Sequence, residues 1–149
     1  MKIAVLTGGG HVSTLNAGIE GITKMATDKE WEVLGATDGW KGMDQGNFVE
    51  LTEENTEGIQ YYGGSVLGNR RWNPDLDHVV EVAEENDIDG IIALGGDDTL
   101  GVLADLWDEY NLPSAGWPKT MDNDLGGTYF SLGYPTAVDV ASKTVLNSA

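Results

Sequence analysis

Three times in this chain a short run of apolar, β-prone residues stops abruptly in a polar turn. The first run, residues 3–7, ends in Thr7-Gly8-Gly9-Gly10. The second, residues 89–94, ends in Gly95-Gly96-Asp97-Asp98-Thr99. The third, residues 114–117, runs into the loop Pro118-Lys119-Thr120-Met121-Asp122-Asn123-Asp124. A β-prone run closed by glycine or proline reads as a buried strand and its exit turn. Between these runs lie segments with helical periodicity. Leu15, Ile19, Ile22 and Ala26 share one helix face, and so do Leu76, Val79, Val80 and Ala83. Strands that alternate with helices need crossovers, so the pattern predicts an α/β fold with a mainly parallel sheet.

The rest of the chain fits that frame. Residues 32–37 predict another strand, closed by Asp38-Gly39, and residues 48–51 a short one. Helices are expected over 52–61, over 99–110 with Leu100, Leu103 and Trp107 on one side, and over 136–147. Asn73-Pro74 reads as a helix start, with asparagine as the cap and proline at the first position. Gly63-Gly64 and Gly68-Asn69 mark a loop. The 149 residues suffice for one ordinary domain, with no internal repeat, low-complexity tract or linker. The last helical pattern meets no capping glycine, so the chain is expected to be part of a longer one.

In a doubly wound sheet the carboxyl ends of parallel strands share one edge, where ligands bind. Glycines let the backbone approach a phosphate, and the N-terminus of a following helix favours negative charge. Asp97 and Asp98 suit a hard cation such as Mg²⁺, which bridges carboxylate and phosphate oxygens. Lys119 is a cation placed where a strand ends. Arg70-Arg71 follow a glycine-rich stretch able to bring a guanidinium fork to a phosphate. Singly, each feature has a plain structural use: a tight turn, a helix cap, an Asx-turn loop. The functional reading rests on all three turns meeting at one edge. A Gly-x4-Gly-Lys-Ser/Thr loop is absent, and a Gly-x-Gly-x-x-Gly match fails at Ser13. Asp38, at the end of the second strand, leaves a nucleotide-cofactor reading open. His11 and His78 are too isolated to suggest a metal site. The five tryptophans lack regular spacing and are assigned to the core or a partly buried surface.

Charge narrows the function classes. Twenty-five acids face eight bases, a net charge of −17, which opposes binding to nucleic acid or anionic membrane. Nine of the acids fall in residues 28–57 and seven in 75–89, interleaved with apolar residues as on the solvent face of ordered elements. So much acid with so little lysine is a halophilic composition, in which salt screens self-repulsion over ~3 Å at 1 M. Cysteine is absent, which excludes disulfides and thiolate metal sites. No apolar run approaches the roughly 18 residues of a membrane span, and the start lacks a secretory pattern. The expectation is a soluble, cytoplasmic protein.

Taken together in order, these motifs resemble the N-terminal half of the phosphofructokinase family. The matching pieces are residues 3–10, Leu15-Asn16-Ala17, Gly63-Gly64-Ser65-Val66-Leu67-Gly68, Arg71 with Asn73-Pro74, residues 95–99, residues 118–124, and Leu132-Gly133-Tyr134 with Thr136-Ala137. The resemblance implies a Rossmann-like three-layer donor-binding domain over residues 1–149, a glycolytic phosphotransferase, and Mg²⁺ as cofactor. Its partners would be fructose 6-phosphate and a phosphoryl donor, and the full-length protein would be a homo-oligomer. Carried over by motif, Asp122 would be the general base on the sugar 1-hydroxyl. Thr120, Met121, Asp122 and Asp124 would bind substrate. Gly9, Gly10, Arg71, Asp97, Asp98 and Thr99 would contact the donor phosphates, with Asp97 holding the metal.

Within that family, Gly-Gly-Asp-Asp and Pro-Lys-Thr resemble the pyrophosphate-using members, and Gly-Gly-Asp-Gly the ATP-using ones. Asp98 and Lys119 therefore imply pyrophosphate, and both join Asp122 as expected catalytic residues. The chain departs from the family pattern at His11-Val12-Ser13-Thr14 and at Pro135. It also lacks the family's sugar-phosphate domain, so alone it is expected to be inactive. The alternatives are an ATP-dependent enzyme and, in another class, a non-catalytic nucleotide-binding or regulatory module.

Overall fold

The computed structural model describes residues 1–148. Its elements are β1 (Lys2–Thr7), α1 (Leu15–Thr27), β2 (Glu32–Ala36), α2 (Trp40–Asp44), β3 (Phe48–Glu50), α3 (Glu53–Thr56), α4 (Leu76–Glu85), β4 (Gly90–Gly95), α5 (Asp97–Tyr110), β5 (Ser114–Pro118) and α6 (Tyr134–Asn147). The strands form one sheet in the order β3-β2-β1-β4-β5. All neighbours are parallel except β2 and β3. Residues 37–47 are too few for the crossover of about a dozen that a parallel partner needs, so β3 returns antiparallel.

Side chains of β1 alternate between two cores, as the period of a strand dictates. Ala4 and Leu6 join Met43 of α2, Val79 of α4 and Leu103 and Leu106 of α5. Ile3 and Val5 join Leu15 and Ile19 of α1 on the opposite face. The sheet is thus the middle of three layers, as expected. Each fully buried leucine or isoleucine contributes about 1.5–3 kcal/mol through removal from water.

Several local expectations are corrected. Helix α4 starts at Leu76 with Asp75 as its cap, not at Asn73-Pro74. The Asp75 carboxylate accepts the Asp77 amide at 3.1 Å, which satisfies a helix donor from this position. Residues 52–61 are not one helix. Gly58, at φ 80°, separates α3 from a 3₁₀ turn, Ile59–Tyr61. In α5 the inner face carries Leu103 and Leu106, while Trp107 is exposed. Helix α5 begins two residues early, at Asp97, and α6 begins at Tyr134. Pro135 sits in the first turn of α6, where a missing N–H costs nothing. Helix α2 falls in a stretch with no assigned element.

The acids of residues 28–57 and 75–89 lie on the surface, apart from half-buried Asp38 and buried Asp44. Glu20 is the other buried acid among the described residues. It accepts Lys24 Nζ at 2.6 Å and the Gln60 amide at 3.0 Å, which tie the 3₁₀ turn to α1. Among the described residues no helix is long and apolar enough to cross a membrane.

Candidate active site

The turns after β1, β4 and β5 converge because those three strands are adjacent and parallel. Their packing is close enough to demand glycine. A Cβ on Gly8 would lie 2.4 Å from Thr99 Oγ1, and one on Gly95 would lie 2.3 Å from Thr99 Cβ. Thr99, in the first turn of α5, is therefore wedged against two exit turns at once. It is buried, while Asp97 and Asp98 ahead of it are exposed.

Lys119 links the first and third turns. Its amide donates to the Gly95 carbonyl at 2.9 Å. Its Nζ donates to the Gly10 carbonyl at 2.6 Å. The residue is only 4% exposed. Burial, and then the Arg71 guanidinium, push its ammonium below the ordinary lysine range. Among the described residues no acid forms an ion pair with it.

The loop after β5 is stapled by Asn123. Its side chain accepts the Ser131 amide at 2.8 Å and donates to the Tyr129 carbonyl at 3.1 Å. Ser131 Oγ in turn donates to the Thr120 carbonyl. Asn123 takes a left-handed conformation, φ 52°, which asparagine tolerates. Asp122 and Asp124 on either side of it both line the space in front of the turns. The Asp122 amide donates to Thr120 Oγ1 at 3.1 Å.

That space is a cavity of about 800 Å³. Gly9, Gly10 and Arg71 line it from one side, and Asp97, Asp98 and Thr99 from the helix end. Lys119, Thr120, Met121, Asp122 and Asp124 line it from the third turn. Every residue expected at the site thus borders one cavity. Asp38 is not among the lining residues; it faces Arg70, Oδ2 to Nη1 at 3.8 Å. Trp40, Trp72, Val102 and Asp105 also line the cavity and were not foreseen. Val102 and Asp105 lie four and seven residues beyond Asp98, so helical spacing could have found them. No such signal marks the two tryptophans.

Matching by sequence accounts for this arrangement. A family model described as Phosphofructokinase matches residues 2–148. The chain belongs to the phosphofructokinase family. It is 43% identical to the pyrophosphate–fructose 6-phosphate 1-phosphotransferase of Dictyoglomus thermophilum, over 97% of this chain and 43% of that protein. It is 40% identical to ATP-dependent 6-phosphofructokinase 3 of Streptomyces coelicolor, over 97% of this chain and 44% of that protein. The T-state phosphofructokinase of Pichia pastoris superposes with a TM-score of 0.90 at 28% identity, over 97% of this chain and 16% of that one. The chain therefore spans less than half the length of these relatives.

Proposed function

We propose that this chain is the donor-binding part of a pyrophosphate-dependent phosphofructokinase. The complete polypeptide would transfer a phosphoryl group from pyrophosphate to the 1-hydroxyl of fructose 6-phosphate, giving fructose 1,6-bisphosphate. The observation that carries the reading is that Asp98, Lys119 and Asp122, from two different strand exits, border one cavity. The name of the Dictyoglomus relative supports the same donor.

Phosphoryl transfer asks a protein for positioning, charge neutralisation and one proton acceptor. Asp122 is exposed to the cavity and takes the proton from the sugar hydroxyl. Lys119 and Arg71 supply positive charge to the donor phosphates. Gly9 and Gly10 bring backbone close to them, and Thr120, Met121 and Asp124 border the side of the cavity left for the sugar. Among the described residues no three His, Cys, Asp or Glu side chains are grouped to cage a metal. Mg²⁺ needs only one or two carboxylates and leaves its other positions to phosphates and water. Asp97 would hold it, and the ion would neutralise charge on the transferred group.

Asp98 decides the donor. Pyrophosphate ends where ATP continues into an α-phosphate, and a fixed carboxylate there repels ATP. Like charges in contact cost on the order of several kcal/mol, about a hundredfold or more in affinity. ATP is the second reading, favoured by the Streptomyces relative and by a cavity far larger than pyrophosphate. The experiment is steady-state fructose 1,6-bisphosphate formation by the complete polypeptide with each donor. Pyrophosphate is expected to be preferred, Asp98→Gly to weaken its use and improve that of ATP, and Lys119→Gly to lower pyrophosphate turnover further. An unaltered protein that prefers ATP refutes the donor assignment and leaves the role of Asp122 standing.

A further inference from the structure

We infer that Asp44 is a positioning residue for the phosphate-facing wall of the cavity, acting through the indole of Trp72. The inference rests on the reading that this cavity receives the phosphoryl donor.

Asp44 is the last residue of α2, and its side chain is 12% exposed. A carboxylate so placed needs donors for both oxygens, because an unpaired buried charge is strongly disfavoured. It has one for each. Trp72 Nε1 donates to Oδ2 at 2.8 Å. His78 Nδ1 lies 3.2 Å from Oδ1. The three residues come from α2, α4 and the segment between the glycine-rich loop and α4.

That segment is where positioning is needed. Arg70, Arg71, Trp72 and Asn73 all line the cavity. They form no helix or strand beyond a single bridge between Arg70 and Gly8. Trp72 is 41% exposed, so burial alone does not hold its ring. Its hydrogen bond to a charged, nearly buried acceptor does, and such bonds are about twice as strong as neutral ones. Arg71 is the residue immediately before it, so the backbone that carries Arg71 is anchored where Trp72 is pinned.

Helix α2 also reaches the opposite wall. Trp40, at its start, is buried and donates its Nε1 to the Thr99 carbonyl at 3.2 Å. Thr99 lies in the first turn of α5, beside Asp97 and Asp98. One short helix thus sets the distance between the turn that bears the metal carboxylate and the arginines that face the donor. Asp122 is held independently, by the Asn123 and Ser131 staples.

This separation gives Asp44 a kinetic signature. Loss of its carboxylate loosens donor binding and leaves the proton acceptor in place. The test is steady-state kinetics of the complete polypeptide, with magnesium pyrophosphate or ATP varied at saturating fructose 6-phosphate. Asp44→Ala should raise the donor KM about tenfold, the loss of a hydrogen bond to a charged group, with kcat within about threefold. Asp44→Asn keeps one acceptor oxygen and should recover part of the change. Trp72→Phe keeps a ring and removes the donor, so it tests the same bond if Asp44→Ala fails to fold. The double variant should be no worse than the worse single one, because both remove one interaction. Trp72→Phe and Asp44→Asn proteins with a donor KM within twofold of the unaltered one would overturn the inference. So would additive effects in the double variant, or equal losses in kcat and kcat/KM. If the unaltered protein uses neither donor, the reading of the cavity fails and the inference falls with it. Normal use of a donor by all variants removes only the role of Asp44.

Discussion

Two adjacent strands lead into the cavity and are held in opposite ways. β4 is buried along almost its whole length, paired on one side with β1 and on the other with β5. Its exit turn, with Asp97 to Thr99, inherits the rigidity of two cores. β5 lies at the edge of the sheet, with Ala115, Gly116 and Trp117 exposed. Helix α6, which follows its loop, buries no residue. The exit of β5 is therefore fixed by polar bonds: Lys119 to two glycine carbonyls, and Asn123 and Ser131 across the loop. The comparison shows that one wall of the cavity depends on packing and the other on a handful of hydrogen bonds. Local opening of the second wall disturbs neither core.

The two walls should fail differently. The largest effect belongs to Asp122→Ala, which should lower turnover of the complete polypeptide by about 10²–10⁴. Its side chain is exposed, so the melting temperature should scarcely move; steady-state rates and a melting curve check both halves. A turnover within a few-fold of the unaltered protein would remove Asp122 from the proton-transfer role. Leu6→Ala, in the core that supports the packed wall, should cost roughly 2–5 kcal/mol in urea unfolding, because a buried leucine leaves a cavity. Asn123→Ala should cost about 1–2 kcal/mol, felt locally as faster amide exchange at Ser131. If that variant unfolds the sheet instead, the loop is not a separable wall.

Acid tests the side of the sheet away from β5. The Lys24 ammonium, and then the Gln60 amide, hold the Glu20 carboxyl below the ordinary carboxylate value of 4.5. A depressed folded value means that Glu20 stabilises the fold above that pH and ceases to do so as pH falls through its own lower value. Glu20→Gln should therefore flatten the acid limb of stability measured from pH 7 down to pH 3. The smallest effect is expected from Val145→Ser on α6. This side chain is exposed, so the change should stay within about 0.5 kcal/mol in the same unfolding assay.

Much of this arrangement was legible in the linear chain, for reasons that differ by element. Most strands announced themselves as apolar runs closed by glycine or proline, and α1 and α4 as periodic faces. Helix α2 did not, because five residues are too few to display a period. The break at Gly58 was hidden for a related reason: a glycine within polar sequence does not reveal the sign of its φ. The cap of α4 was misplaced because Asn73 and Asp75 are both good caps, and the carboxylate that accepts a helix amide is that of Asp75.

The site divides in the same way. Glycines and carboxylates at the ends of β1, β4 and β5 could be assigned to one edge from sequence, since parallel strands with helical crossovers place all their exits together. The state of Lys119 could not. A lysine in a polar loop reads as exposed, and its burial comes from the neighbouring turns, which bond it through the Gly10 and Gly95 carbonyls. Nor could the union of Asp44, Trp72 and His78, which lie up to 34 residues apart and follow no local period. Sequence reports what neighbours along the chain can do, because backbone geometry repeats over a few residues. Which distant side chains meet, and which charge loses its water, depends on how the layers pack, and in this protein that packing buries Lys119 in the turn after β5 and Asp44 beneath Trp72, both beside one cavity.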